Sequence, residues 1–254
     1  MASSPIRKTF LAPDGIELAW HELGAADARP VVLLHGLFSD AQTNWLRYGH
    51  AEAIASRGFR MVLPDLRAHG TSTKPHDPSC YPPDVLAQDG LALIAHLRLR
   101  DYDLGGYSLG GRTAVRMVVR GARPRRLVIA GMGLEGLLAT GPRSAHFKQI
   151  LRGLGTHERG SPEWMAEAFL KTTGGDPAAL LPLLDSFVDT GEAELRAIRT
   201  PTLIVSGADD DDNGSAEALA GQLPYGGYVE VPGTHMSAVT KPDLGRAIAD
   251  FLAA

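Results

Sequence analysis

The hexapeptide Gly106-Tyr107-Ser108-Leu109-Gly110-Gly111 constrains this chain more than any other stretch. Ahead of it, Tyr102-Asp103-Leu104-Gly105 reads as a short apolar strand. Behind it, Val115, Val118 and Val119 recur at helical spacing within residues 112–120. A chain that passes from strand to helix in so few residues leaves no room for side chains inside the bend. Gly106 and Gly110 are expected there because a Cβ at either would meet the facing strand or helix. Ser108 between them is expected to sit in a strained conformation at the end of the strand, with its hydroxyl thrust outward. Gly-x-Ser-x-Gly alone is weak in a chain with 29 glycines. The strand before it and the helix after it give it weight.

The rest of the chain repeats that alternation. Residues 8–12 and 16–22 flank Pro13-Asp14-Gly15 and read as an antiparallel hairpin. Pro30-Val31-Val32-Leu33-Leu34 is continuously apolar, the pattern of a strand buried on both faces, and it ends in His35-Gly36-Leu37-Phe38. A helix is expected over residues 50–57, a strand over 59–64, and a helix over 84–98 despite Gly90. After the serine turn and its helix, residues 125–131 form a sixth strand. From 134 to 199 the strand rhythm stops and short helical segments follow one another. It resumes at Thr200-Pro201-Thr202-Leu203-Ile204-Val205-Ser206-Gly207 and again at 227–231, before a last helix ending near Phe251. Strands alternating with helices predict an α/β architecture: a mostly parallel sheet with helices on both faces and an antiparallel edge from the first hairpin. Residues 1–133 and 200–254 are expected to form the core, and 134–199 a small helical lid inserted after the sixth strand.

Four landmarks in register with the strands resemble the α/β-hydrolase family along nearly the whole chain. They are His35-Gly36 after the third strand, Asp65-x-Arg67-x-His69-Gly70-x-Ser72 after the fourth, Gly106-x-Ser108-x-Gly110-Gly111 after the fifth, and Gly233-Thr234-His235 after the last. The resemblance implies a serine esterase-like member. Ser108 would be the nucleophile of a nucleophile elbow and His235 the base, with an acidic residue between them in chain order. The chemistry needs each part for its own reason. A serine hydroxyl attacks only when a base accepts its proton, the imidazole needs a carboxylate to fix its tautomer, and the oxyanion needs two N–H donors. The resemblance places those donors on Leu37 and Leu109. It places the acid on Asp210, three residues beyond the glycine that closes the strand. Asp209 is one register step away, and Glu135 stands after the sixth strand, where some relatives carry the acid. Trp45, Met132, Leu134 and Met236 are candidate walls of an acyl pocket, though each also reads as ordinary core.

Composition narrows the classes. A net charge of −4 and a pI near 6.1 give no electrostatic case for a nucleic-acid or membrane partner. The single Cys80 excludes an internal disulfide, and the leading residues lack the apolar stretch of a signal peptide, so a cytoplasmic location is expected. Asp209-Asp210-Asp211-Asp212 lacks the spaced ligands of a calcium loop, so neither metal nor cofactor is expected. His35 and His69 read as loop-orienting residues, Asp65 and Arg67 as an ion pair bracing their loop. Arg143, His146 and Lys148 form either a solvated helix face or a greeting for an anionic substrate. The reading that follows is a carboxylesterase cleaving small to medium, uncharged, small-molecule esters. A hydrolase of lactones, thioesters or carbon–carbon bonds, or a perhydrolase, would use the same groups. A cofactor-independent oxygenase or lyase, or a non-catalytic ligand receptor, are the readings from other classes.

Overall fold

The computed structural model describes residues 4–254; Met1, Ala2 and Ser3 of the polar leading stretch lie outside the described residues. Its centre is an eight-stranded sheet. The strands are β1 (Ile6–Leu11), β2 (Glu17–Leu23), β3 (Arg29–Leu34), β4 (Phe59–Pro64), β5 (Asp103–Tyr107), β6 (Leu127–Ala130), β7 (Thr202–Gly207) and β8 (Gly226–Val231). Their spatial order is β1-β2-β4-β3-β5-β6-β7-β8. The hairpin edge differs in one respect from the sequence expectation. β2 is antiparallel to both β1 and β4, so it alone runs against the sheet and β1 runs with it.

The helices follow the strands they cover: α1 (His50–Ala55), α2 (Val85–His96), α3 (Leu109–Val119), then α4 (Leu134–Leu138), α5 (Thr140–Arg152), α6 (Pro162–Thr172), α7 (Pro177–Leu183) and α8 (Glu192–Ala197), and finally α9 (Ala216–Gln222), α10 (His235–Ala238) and α11 (Pro242–Ala253). Alternation along the central strands divides the core. Val32, Leu34, Leu104 and Ile129 join the α2 and α3 side, whereas Val31, Leu33, Val128 and Val205 join the α1 and α11 side. Successive side chains of a strand point to opposite faces, so a strand apolar at every position must be covered on both. That is why β3 and β5 lie at the centre and carry the loops of the site at their C-terminal ends, where open α/β sheets form their crevice. Between β6 and β7 the described chain is helical, α4 through α8, as the change of rhythm at 134 predicts.

Asp65 and Arg67 do not form the ion pair expected from sequence. Arg67, wholly buried, forks onto Asp89 at 2.9 and 2.7 Å and reaches Asp14 at 2.7 Å. Asp65 instead accepts the N–H groups of Ala41 and Thr71 at 2.9 and 2.8 Å. Asp14 and Asp89 lie far away in sequence, so spacing within the loop pointed to the wrong partner.

Candidate active site

The turn after β5 has the geometry its glycines require. Ser108 adopts φ 54° and ψ −115°, a conformation that side chains rarely hold, and its N–H is tied to the Ala130 carbonyl at 2.7 Å. A Cβ on Gly106 would strike the Gly110 backbone, and one on Gly110 would strike the Leu34 carbonyl at the end of β3. The two glycines therefore let β5, the start of α3 and β3 approach closely, and Ser108 is carried at the apex.

His235 opens α10, whose Thr234–Ser237 capping pair fixes the loop: the Ser237 hydroxyl accepts the Thr234 N–H at 2.8 Å. The Tyr107 hydroxyl donates to the His235 carbonyl at 2.5 Å, and its ring lies 5.3 Å from the imidazole. At Gly207 a Cβ would collide with the Gly233 carbonyl, so glycine lets the loop after β7 press against the loop carrying His235. Asp210 emerges from that contact with Oδ2 2.9 Å and Oδ1 3.1 Å from His235 Nδ1. On the other side of the ring, Nε2 is 3.0 Å from Ser108 Oγ. A carboxylate accepts only, so Nδ1 carries the proton and Nε2 presents its lone pair to the serine hydroxyl. His235 is 9% exposed.

The other two acids expected as alternatives stand elsewhere. Asp209 is exposed, with its backbone N–H bonded to the Gly233 carbonyl at 3.0 Å. Glu135 Oε2 accepts the Ser215 N–H at 2.8 Å.

The loop after β3 supplies the facing wall. Leu109 is the first residue of α3, where helix geometry provides no acceptor for its N–H. The Leu37 N–H has no protein acceptor among the described residues. Two buried histidines hold this loop. His35 Nδ1–H donates to the Gly36 carbonyl at 2.8 Å while Nε2 accepts the Leu66 N–H at 2.9 Å. His69 Nδ1–H donates to the Arg67 carbonyl at 2.9 Å while Nε2 accepts the Phe38 N–H at 3.3 Å. Both rings are thereby required to be neutral. Burial pushes His69 down to about 3, and burial lowers His35 as well.

A pH prediction follows from those two rings. The unfolded chain protonates both imidazoles near pH 6.5, whereas folded His69 refuses its proton until about pH 3 and folded His35 is also held below its ordinary value, so stability is full above pH 6.5 and falls as pH drops below it. Each histidine so held contributes a slope of up to about 1.4 kcal/mol per pH unit. Urea denaturation between pH 7 and 4.5 is expected to show this loss, and His69→Gln is expected to flatten it, since its amide oxygen can still accept the Phe38 N–H. An unchanged slope in the variant would remove His69 from the account.

Beside Ser108 and His235 lies a cavity of about 630 Å³, counting its open mouth, with apolar walls from Leu37, Tyr48, Phe169, Met236 and Val239. Of the four expected wall residues, Met236 lines this cavity, and Met132 lines a smaller recess that also borders Leu37 and Ser108. Leu134 lines neither; it starts α4 and its N–H is bonded to the Ser215 carbonyl at 3.0 Å. Trp45 is corrected outright. Its ring is 0% exposed in the α1 and α11 core and lies edge-on to His50 at 6.3 Å. It belongs to a widened helical turn, Gln42–Leu46, in which the adjacent Asn44 faces the cavity instead. Asn44 Oδ1 accepts the Gly36 N–H at 2.9 Å, and no sequence signal pointed to it.

The family model described as the alpha/beta hydrolase family matches residues 31–244. The chain belongs to this family. Its eight-stranded, mostly parallel sheet with helices on both faces is the α/β-hydrolase fold. A hydrolase of known structure from Pseudomonas aeruginosa superposes with a TM-score of 0.76 over 98% of each chain at 26% identity. A non-heme haloperoxidase from Rhodococcus erythropolis is 29% identical over 78% of this chain and 80% of its own length. The acetyltransferase component of an acetoin-cleaving system from Pseudomonas putida is 34% identical over 53% of this chain. The chain spans 38% of that protein's length, less than half of it. No helix among the described residues is long and apolar enough to cross a membrane.

Proposed function

We propose that this α/β-hydrolase is a serine carboxylic ester hydrolase that works through an acyl-enzyme on Ser108. The observation that carries the reading is the unbroken chain from Asp210 through His235 to Ser108, with bonds of 2.9 and 3.0 Å. In this reading His235 takes the Ser108 proton as Oγ attacks the ester carbonyl. The N–H groups of Leu37 and Leu109 receive the oxyanion, and the alcohol departs with the proton from His235. Water then enters, loses its proton to His235 and attacks the acyl carbon; the Oγ–acyl bond breaks, His235 returns the proton to Ser108 Oγ, and the acid departs. Asp210 keeps the proton on Nδ1 and offsets the imidazolium charge throughout.

Residues 134–199 serve as a lid over the site. Phe169 of α6 forms part of the cavity wall, and Thr173 just beyond α6 donates through its hydroxyl to the Phe38 carbonyl at 2.6 Å. The apolar walls suit an alkyl or aryl arm of small to medium size.

A fluorophosphonate probe is expected to label the protein stoichiometrically at Ser108, read by peptide mass spectrometry. p-Nitrophenyl esters from acetate to dodecanoate should give a turnover profile that falls once the chain outgrows the cavity. Turnover of esters by a protein that the probe leaves untouched would remove the acyl-enzyme from the reading.

A further inference from the structure

The smaller recess beside Ser108 has a buried cation in its wall. Arg112 lies one helical turn after Ser108 on α3 and is 5% exposed. Its Nη2 donates to the Gly136 carbonyl at 2.9 Å, and its Nε is buried with no acceptor among the described residues. The guanidinium lies over the Phe187 ring at 5.2 Å, and no carboxylate among the described residues comes within 4.0 Å of it. Asp189, the acid whose charge reaches it, uses Oδ1 on the Thr140 N–H and hydroxyl, both at 2.7 Å.

The other two buried arginines are treated differently. Arg67 forks onto Asp89, and Arg116 onto Asp84 at 2.6 and 3.0 Å. Among the described residues, Arg112 alone of the buried arginines lacks a carboxylate of its own. Burial, with the charge of Arg143, lowers it to about 10, so it remains charged at neutral pH. A desolvated charge lacking a partner is costly, and an anion brought by a ligand would offset that cost.

The placement says which ligand. The recess, about 260 Å³ with its mouth, is lined by Leu37, Ser108, Leu109, Arg112, Arg143 and Asn213. It is therefore bordered by the serine, by Leu37 and Leu109, and by two arginines. Arg143 is paired with Asp212 at 2.7 Å and lies over Phe147, which leaves Arg112 as the unspent cation. We propose that this recess is a carboxylate subsite, in which Arg112 holds the acid group of a half-ester of a dicarboxylic acid while its ester carbonyl lies at Ser108 and its apolar arm in the larger cavity. This rests on the serine-hydrolase reading and replaces the uncharged substrate expected from sequence.

The test compares kcat/KM for monomethyl esters of dicarboxylic acids, succinate through suberate, with methyl esters in which an isopropyl group replaces the free carboxylate. Wild type is expected to favour the acid member at one chain length. That ratio is expected to fall about 10- to 100-fold in Arg112→Met, and less in Arg112→Lys, which keeps the charge but loses the fork. Adipate, a probe that needs no turnover, is expected to raise the Tm of Ser108→Ala by about 2 °C and to do nothing for Ser108→Ala/Arg112→Met. A ratio equal in wild type and both arginine variants, or adipate that leaves the Tm of Ser108→Ala unmoved, overturns the subsite. Full ester turnover by Ser108→Ala would instead sink the serine reading, and the adipate result would still judge Arg112.

Discussion

Ser108→Ala is expected to lower kcat for a p-nitrophenyl ester by about 10⁴- to 10⁶-fold with KM changed only a few-fold. The size of the effect follows from what the hydroxyl does. In the proposed mechanism it forms the bond to the acyl carbon, and no other nucleophile stands within hydrogen-bond reach of His235 Nε2 among the described residues. The Leu37 and Leu109 N–H groups and the cavity survive the change. The residue left should therefore bind ester and polarise its carbonyl, which accounts for a small residual rate. Loss of folding is not expected, because alanine keeps the Cβ that Ser108 already carries at φ 54° and the Ser108 N–H bond to Ala130 is a backbone bond. Initial rates across substrate concentration, with a melting curve for each protein, separate the two effects. Activity in Ser108→Ala within tenfold of wild type would end the serine reading.

The parts of the fold that sequence made legible are those where backbone sterics leave few options. The run 30–34 is apolar at every position and lies at the sheet centre with both faces covered. Gly106 and Gly110 were readable because a Cβ at either meets main chain, which cannot yield. Side-chain partners across long separations were not readable in the same way. Arg67 finds Asp89 and Asp14 through the sheet and its helices, and local spacing offered Asp65 in their place. Asn44 and Trp45 are neighbours in one widened turn, and which of them faces the cavity depends on the rotation of that turn, not on composition. Arg112 carries no motif of its own. It became visible only when the burial of its guanidinium could be set against the acids it does not meet.

The acid is the point at which register mattered most, and Asp210→Asn is expected to lower kcat by about 10³- to 10⁴-fold. The loss arises from the tautomer as much as from the charge. With Asp210 as acceptor, Nδ1 must hold the proton and Nε2 is free to take one from Ser108. An asparagine amide can instead donate to Nδ1, and the ring proton then sits on Nε2, facing a hydroxyl it can no longer deprotonate. The imidazolium that forms during attack also loses the anion beside it. Asp209→Asn tests the neighbouring register. Its side chain is exposed and its structural contact is the backbone bond to Gly233, so its kcat is expected to stay within about threefold of wild type. Glu135→Gln should act through the loop it caps at Ser215, with an amide oxygen still able to accept that N–H, and so should change stability more than kcat. The three variants measured on one ester at pH 8 give the assignment directly. A fall in Asp209→Asn or Glu135→Gln as deep as that in Asp210→Asn would mean that the proton on Nδ1 is governed from elsewhere, and Asp210 would lose its role.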